Sequence, residues 1–311
     1  MRLLVLGAGG IGGYFGGRLV EAGADVTFLV RPGRAAQLAR DGLVVRSPAG
    51  DIERAVRFVG LEQLDSDGRY DAVLLTCKAY DLEAAIVAVA PAVAQEAVVI
   101  PMLNGMRHLD RLDLAFGRTA VLGGLCQIAA TLAPSGEVRH LNTSHTLILG
   151  PRAASQERVA DAFAQAASGA RFDCRASDDI AQDMWEKFVM LATMAAMTCL
   201  MRATVGEIMQ AEDGAALMNE ALEECDLVAH AAGHRGRPAF LDRARALLTE
   251  RGSNFAASML RDIERGGPTE GAHVVGDMLA RARAAGLAAP VLRVAWCHLQ
   301  AHAARQEAER V

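Results

Sequence analysis

The chain has 311 residues, 52% of them hydrophobic and 22% charged, with a formal net charge of −5 at pH 7. A length of this size predicts about two domains, each able to bury a core of its own. The acidic balance disfavours a nucleic-acid-binding protein, because such proteins usually carry an excess of Lys and Arg.

The first hundred residues alternate short, branched apolar runs with helical stretches. The predicted buried strands cover residues 2–6, 25–30, 72–76 and 97–101. The predicted helices cover residues 11–22, 35–40 and 81–93. Residues 43–46 and 54–59 are expected to form a hairpin extension around a turn at 48–50. This alternation predicts an α/β, doubly wound parallel sheet of the Rossmann type.

The pattern changes between residues 120 and 150. Three strand-like runs cover residues 120–130, 137–141 and 146–149, with turn-type residues at 134–136 and 142–144 between them. We expect these runs to form the antiparallel edge of the same sheet. A helix is predicted over residues 156–167 and a last strand over 171–175.

Almost everything after Asp178 has helical periodicity. The predicted helices cover residues 180–200, 204–208, 215–232, 238–248, 258–264, 271–285 and 289–304. A domain boundary near Ser177 is therefore predicted, with a Rossmann domain over residues 1–177 and an all-α domain over 178–311.

A glycine motif joins the first strand to the first helix. Gly7, Gly9 and Gly12 form G-x-G-x-x-G in the strand–loop–helix context that a dinucleotide site requires. Gly7 would allow a tight turn, Gly9 a close approach of the backbone to a pyrophosphate, and Gly12 close packing of helix on strand. The helix N-terminus would add N–H groups for the anion. The alternative is a tight turn with no ligand.

The end of the second strand bears on which nicotinamide dinucleotide is bound. An acidic residue there would accept a hydrogen bond from the ribose 2′-hydroxyl, whereas this chain has Arg31, with Arg34 close behind. A guanidinium can grip a 2′-phosphate through two donors, so NADP(H) is favoured over NAD(H). The alternative is that both arginines simply face solvent.

Several segments, in order along the chain, resemble the ketopantoate reductase (2-dehydropantoate 2-reductase) family. They are the opening MRLLVLGAGGIGGYFGGRLVEAGADVTFLVR, TCKAY at 76–80, NGM at 104–106, WEK at 185–187, SMLRD at 258–262 and TE at 269–270. The resemblance covers nearly the whole chain. It implies a Rossmann domain followed by a helical domain like the C-terminal domain of 6-phosphogluconate dehydrogenase. It also implies NADPH-dependent reduction of a 2-oxo acid, with 2-dehydropantoate reduced to pantoate in pantothenate and coenzyme A synthesis.

The resemblance also assigns roles to individual residues. Lys187 matches the family's catalytic lysine, Glu270 its active-site glutamate, Asn104 an asparagine at nicotinamide and substrate, Ser258 a substrate-binding serine, and Lys78 a cofactor-side lysine. The chemistry asks for such groups, because hydride addition leaves an alkoxide that a donor must protonate or stabilise. The alternatives are a snorkelling lysine at Lys187, a first-turn helix carboxylate at Glu270, an N-cap at Ser258 and a solvated residue at Lys78.

The helix of Lys187 departs from the family pattern. Leu191 and Ala195 stand one and two turns after the lysine, where the family usually has pocket asparagines. Thr193 and Thr198 are the nearest polar residues. One alternative function is therefore a sister reductase for a different oxo acid, ketone or imine. Another is a non-catalytic NADPH-binding protein that has kept only the fold.

Other features of the sequence favour a metal-free protein with reduced thiols. The six cysteines are scattered without a C-x-x-C pair, which favours free thiols. The two i, i+4 histidine pairs, His230/His234 and His298/His302, lack the H-E-x-x-H glutamate, so no metal site is predicted. No uncharged apolar run reaches about 18 residues, so no membrane span and a cytoplasmic location are expected. A homodimer contact through the methionine-rich stretch that begins at Met184 is an open alternative to core packing.

Overall fold

The computed structural model describes residues 1–309, apart from the side chains of residues 65 and 66. Within it the chain forms two compact units. The first comprises Met1–Leu103 and His108–Ile180, and the second comprises Asn104–Arg107 together with the residues from Ala181 onward. The domain boundary near Ser177, which was inferred from the sequence, stays a prediction.

The first unit contains the strands. They are β1 (Arg2–Leu6), β2 (Asp25–Leu29), β3 (Leu43–Arg46), β4 (Ile52–Arg54), β5 (Arg57–Val59), β6 (Ala72–Leu75), β7 (Val98–Pro101), β8 (Gly123–Leu132), β9 (Val138–Gly150) and β10 (Asp173–Ala176). The helices up to the same point are α1 (Gly10–Glu21), α2 (Pro32–Asp41), α3 (Leu82–Ala94), α4 (Arg107–Phe116) and α5 (Glu157–Ala167). Helix α4 was not predicted; its buried face is short, with Leu109 and Leu112 as its buried leucines.

A five-stranded parallel sheet in the order β5-β2-β1-β6-β7 confirms the Rossmann-type prediction. Strand β1 lies in the middle, and its central residues Leu3, Leu4 and Val5 are completely buried. Parallel strands covered on both faces need such continuous apolar runs. Helix α1 packs its glycine-rich face on this sheet, where a Cβ on Gly16 would lie 2.7 Å from the ring of Phe28.

The predicted antiparallel edge of that sheet is wrong, because those strands form a second sheet. Its order is β10-β9-β3-β4, and β8 pairs antiparallel with β9. Residues 142–144 do not end a strand: β9 runs through them, and a register shift between Ile128 and Ala130 absorbs the irregularity. There the side-chain oxygen of Asn142 accepts the backbone N–H of Ala129 at 3.0 Å. The predicted strand 54–59 is likewise divided between β4 in this sheet and β5 in the first.

The second unit is helical, as predicted. Its helices are α6 (Ile180–Met201), α7 (Val205–Ile208), α8 (Gly214–Ala231), α9 (Pro238–Leu248), α10 (Ser258–Glu264), α11 (Asp277–Ala284) and α12 (Pro290–Ala308). A π-helical turn, Ala272–Gly276, precedes α11, where one regular helix was predicted. Such turns are rare and are often found at functional sites.

Helix α6 is the only described helix long and apolar enough to cross a membrane by length and composition. In the most apolar 18-residue stretch of α6, 72% of the residues are buried inside the protein. The core helix of a soluble protein meets the same criteria of length and composition. Met184, Met194 and Met197 belong to the buried set. These methionines therefore act as core residues.

Candidate active site

The glycine loop of the first unit has the geometry that a bound pyrophosphate needs. Gly7 adopts φ +91°, and a Cβ on Gly12 would lie 2.1 Å from the carbonyl oxygen of Gly7, so only glycine fits. A Cβ on Gly9 would meet no described atom within 4 Å, which leaves open space beside the backbone. Helix α1 begins at Gly10, directly after this opening. The loop thus fits a dinucleotide approaching a helix N-terminus.

Arg31 is paired with an acidic residue that the sequence analysis did not single out. Its Nη2 atom donates to Oδ1 of Asp81 at 2.9 Å, and the two side chains are 77% and 35% exposed. The hydrogen bond and the charge of Asp81 raise the pKa of Arg31. Arg31 is therefore exposed, but it does not simply face solvent, because it is paired with Asp81.

Arg34 is partly buried and connects the glycine loop with the turn between β8 and β9. Its Nε atom donates to the carbonyl oxygen of Ala8 at 3.0 Å, and its Nη1 atom to that of Gly136 at 2.8 Å. Burial lowers the pKa of this guanidinium. Arg34 therefore braces the glycine loop against the β8–β9 turn, while Arg31 stays at the surface.

Lys78 follows β6 and precedes a short 3₁₀ turn, Ala79–Asp81. Its side chain is exposed, and its carbonyl oxygen accepts the backbone N–H of Asp81 at 2.9 Å. The turn therefore ties Lys78 to the residue that holds Arg31.

In the second unit, Lys187 and Asn104 meet. The Nζ atom of Lys187 donates to Oδ1 of Asn104 at 3.2 Å, and both residues are partly buried. Lys187 lies on the early part of α6, whereas Asn104 lies in a short segment just after β7. The two sequence-predicted residues are thus brought into direct contact.

The π-helical turn packs on the Asn104 segment. Gly105 adopts φ +79°, and a Cβ there would lie 2.9 Å from the carbonyl oxygen of His273. Burial lowers the pKa of His273; Glu270, Asp277 and a hydrogen bond with the Asn104 backbone oppose this shift. A π turn widens the helix, and here the backbone of His273 reaches Gly105.

Glu270 and Ser258 lie at helix starts. Glu270 is only 5% exposed, and its carbonyl oxygen accepts N–H groups of His273 and Val274. A carboxylate this buried requires polar partners. Glu270 directly precedes the helical segment that begins at Gly271, so its position also fits the alternative of a carboxylate at a helix start. Ser258 is the first residue of α10 and partly exposed; the N-cap is Ala257, so the N-cap alternative for Ser258 is wrong.

The neighbour of Lys187, Glu186, has a separate structural role. Arg237 donates to Glu186 from its backbone N–H and from two guanidinium nitrogens at 2.7–2.9 Å. Burial raises the pKa of Glu186, but these bonds, with one from Gln182, outweigh it and lower the pKa overall. Glu186 therefore fastens α6 to the start of α9.

Leu191 and Ala195, one and two turns after Lys187 on α6, form an apolar wall. Ala195 is completely buried and Leu191 partly so. Thr193 and Thr198 are buried and donate to the carbonyl oxygens of Val189 and Met194 at 2.9 and 2.7 Å. Their hydroxyl hydrogens are thus used within α6 itself. Neither threonine replaces the amides that the family pattern predicts.

The described side chains contain no group of three His, Cys, Asp or Glu residues that could hold a metal ion. In one of the two histidine pairs, the ring of His234 stacks on Trp185 with centroids 6.0 Å apart. That histidine therefore has a packing role.

Lysine usage is a signal that the sequence analysis missed. Of the 32 Lys and Arg residues, Lys78 and Lys187 are the only lysines. A guanidinium does not give up its proton in proteins, whereas an ammonium can. A chain that uses arginine almost everywhere else, but lysine at these two positions, marks both as chemically distinct.

Comparison with known proteins agrees with this geometry. The family model described as ketopantoate reductase PanE/ApbA matches residues 3–154, and its C-terminal counterpart matches residues 179–303. The chain is 37% identical over 306 residues to the uncharacterized oxidoreductase YkpB of Bacillus subtilis (strain 168), covering 98% of this chain and 100% of that protein. It is 28% identical over 295 residues to a 2-dehydropantoate 2-reductase of Halobacterium salinarum, covering 94% and 96%.

A solved structure of D-mandelate dehydrogenase with NADH and anilino(oxo)acetate has the same fold, with a TM-score of 0.88. Its identity to this chain is 20%, over 99% of both chains. The two family models and the 37% identical relative show that the chain is an oxidoreductase. The chain belongs to the ketopantoate reductase family.

Proposed function

We propose that this protein reduces a 2-oxo acid to a 2-hydroxy acid with NADPH, and that 2-dehydropantoate is the first substrate to test. The observation that carries the proposal is the contact between Lys187 and Asn104 in a chain with only two lysines. The 2-dehydropantoate 2-reductase among the relatives supports the same reaction class.

The nicotinamide, when bound, supplies a hydride to the carbonyl carbon. Lys187 would donate a proton from Nζ to the carbonyl oxygen, which would otherwise become an alkoxide. Asn104 would hold the ammonium through the 3.2 Å hydrogen bond. Ser258 would bind the substrate, and the buried carboxylate of Glu270 would order the site.

The first unit would bind the cofactor. The backbone at Gly7, Gly9 and Gly12 would hold the pyrophosphate, because the open space beside Gly9 admits an anion to the start of α1. Arg31 and Lys78 would lie on the adenosine side, at the ends of β2 and β6. The choice of NADPH over NADH rests on the guanidinium of Arg31.

A second candidate is a sister reductase for a more apolar oxo acid, ketone or imine. Leu191 and Ala195 favour it, together with the two threonines whose hydroxyl hydrogens are bonded within their own helix. A wall without polar groups gives little discrimination for a substrate hydroxyl. The 37% identical relative is itself an uncharacterized oxidoreductase, so it supports either candidate.

NADPH oxidation, followed by absorbance, separates the two candidates. The panel is 2-dehydropantoate, its analogue without the hydroxyl, linear and branched 2-oxo acids, and an aryl 2-oxo acid. A kcat/KM for 2-dehydropantoate well above that for its deoxy analogue would support the first candidate. Equal or better use of the apolar acids would support the second. Tight NADPH binding without turnover on any of them would favour a non-catalytic protein.

We further propose that the protein works as a homodimer. Met184, Met194 and Met197 of α6 are buried within the chain and do not form that contact, whereas Met201 at the end of α6 is 42% exposed. The molar mass of the protein, measured by light scattering as it elutes from a size-exclusion column with and without NADPH, tests this proposal.

A further inference from the structure

The ion pair between Arg31 and Asp81 lies where the fold places cofactor discrimination. Strand β1 pairs with β2 on one side and with β6 on the other. Arg31 follows β2 and Asp81 follows β6, so their contact joins the two sides of the carboxyl end of β1. The glycine loop begins at that end, and ligands of such sheets bind there.

The pair brings a carboxylate to the position from which one is absent in the sequence. Dinucleotide-binding sheets that use NAD commonly carry an Asp or Glu near the end of the second strand, where it accepts from the ribose 2′-hydroxyl. Here Arg31 occupies that place, but it holds Oδ1 of Asp81 at 2.9 Å. An acceptor for a hydroxyl is therefore supplied from the end of β6, on the other side of β1.

A 2′-phosphate meets a different environment in the same place. It brings a charge of about −1.5 to −2 next to the carboxylate of Asp81. It must also compete with Asp81 for the guanidinium of Arg31, which is 77% exposed and hence able to turn. Arg34 does not relieve this competition, because its Nε and Nη1 atoms are bonded to the backbone of Ala8 and Gly136, and its remaining Nη2 atom is buried away from the surface.

We propose that Asp81 is a specificity-determining residue that accepts the 2′-hydroxyl of NADH, so that this protein binds NADH as well as NADPH. This inference rests on the proposed function, since it assumes a nicotinamide dinucleotide at the glycine loop. Arg31 favours the phosphate and Asp81 favours the hydroxyl. The balance of Asp81 against the cations Arg31 and Lys78 sets the ratio of the two affinities.

The test measures the dissociation constants of NADPH and NADH from their own fluorescence, with the full-length protein at low salt. The variant is Asp81→Asn, which keeps a residue suited to the start of α3 and removes the charge. We expect NADPH to bind more tightly and NADH more weakly, so that the ratio of the constants shifts about tenfold towards NADPH. Asp81→Glu should keep the ratio of the unchanged protein.

Asp41→Asn is the matched control. Asp41 is paired with Arg40 at the other end of α2, about 15 Å along the helix from Arg31. The Asp41→Asn variant removes the same charge from the same unit and should leave the ratio of the NADPH and NADH dissociation constants unaltered. Circular dichroism checks that each variant is folded.

The outcomes are distinct. A ratio unchanged in Asp81→Asn, or shifted towards NADH, overturns the inference; the latter would mean that Asp81 orients Arg31 for the phosphate. In both cases the proposed dinucleotide site stands. If the unchanged protein binds neither dinucleotide, the proposed function fails, and this inference fails with it.

Discussion

Lys187 and Asn104 are 83 positions apart in the sequence, yet Nζ of the one donates to Oδ1 of the other at 3.2 Å. The contact depends on the short segment after β7, which belongs to the helical unit. Gly105 lies in this segment, and the carbonyl oxygen of His273 in the π-helical turn lies next to it. The position of Asn104 is therefore set by packing around a glycine.

Gly105→Ala tests that packing. The residue has φ +79°, and its Cβ would lie 2.9 Å from the His273 carbonyl oxygen, so both strain and a clash are expected. The free energy of unfolding should fall by about 2–4 kcal/mol, and turnover should fall with it. Urea denaturation measures the first effect and NADPH oxidation the second.

Gly233→Ala is the control for Gly105→Ala. Gly233 has φ +86°, but a Cβ there would meet no described atom within 4 Å. It should cost about 1 kcal/mol from backbone strain alone, without loss of turnover. Equal losses in the two variants would show that contact with the π-helical turn contributes nothing.

His273 should make stability depend on pH. Burial lowers its pKa from the ordinary 6.5, so the unfolded chain binds a proton more readily than the folded one. The free energy of unfolding should therefore fall as the pH decreases below about 6.5, and level off below the lowered pKa. His273→Gln should remove that part of the slope between pH 7 and 5.

Two other histidines also contribute to the dependence of the free energy of unfolding on pH. Burial also lowers the pKa of His145 and His302, so the unchanged protein contains their contributions. The informative quantity is the difference between His273→Gln and the unchanged protein at each pH. A difference that does not vary between pH 7 and 5 would exclude a depressed pKa at His273.

The Glu186–Arg237 pair should stabilise the helical unit. Arg237→Ala removes the side-chain donors to a carboxylate that is only 8% exposed, and we expect a loss of about 1–3 kcal/mol at pH 7. The pKa of Glu186 is lowered from 4.5, so its contribution is present above that pH and is lost as pH falls through the lowered value. The effect of Arg237→Ala should thus shrink in acid.

Thermal or urea unfolding at pH 7 and at pH 3–4 measures this pair. Arg40→Ala serves as its matched control, because Arg40 forms an exposed pair with its sequence neighbour Asp41. Exposed pairs contribute little, so that variant should unfold like the unchanged protein. A loss for Arg237→Ala that stayed constant down to pH 3 would argue against a lowered pKa at Glu186.

Leu191→Asn tests the apolar wall. It restores an amide one turn after Lys187, where a substrate hydroxyl would find a partner. If the wall excludes 2-dehydropantoate, kcat/KM for this substrate should rise about tenfold or more, while use of the deoxy analogue should not. No gain on 2-dehydropantoate would count against the sister-reductase proposal. Leu227→Asn, an exposed leucine on α8, is the control for an added surface amide.

Local patterns predicted most of the fold. The alternation of apolar strands with helices, and the start of α10 at Ser258, follow from periodicity and turn chemistry within a few residues. The second sheet was not predictable in the same way. It depends on β3 pairing with β9, a contact between Val45 and Val138 that no local pattern specifies.

The same distinction holds for the candidate site. Family resemblance selected Lys187 and Asn104, and the structure brings them together. Asp81 was missed because its relation to Arg31 spans 50 positions and arises only when β2 and β6 flank β1. The two lysines were a visible signal, since a chain rich in arginine keeps lysine at only two positions.

The most direct test of the proposed function is the turnover of Lys187→Ala with the best substrate of the panel, together with its affinity for NADPH. Lys78→Ala is the matched control, because it removes the only other lysine. We expect Lys187→Ala to lose about 100-fold or more in kcat with NADPH affinity nearly unchanged, and Lys78→Ala to weaken mainly NADPH binding. A Lys187→Ala protein that kept its kcat within about threefold would contradict the proposed role of Lys187 as the proton donor.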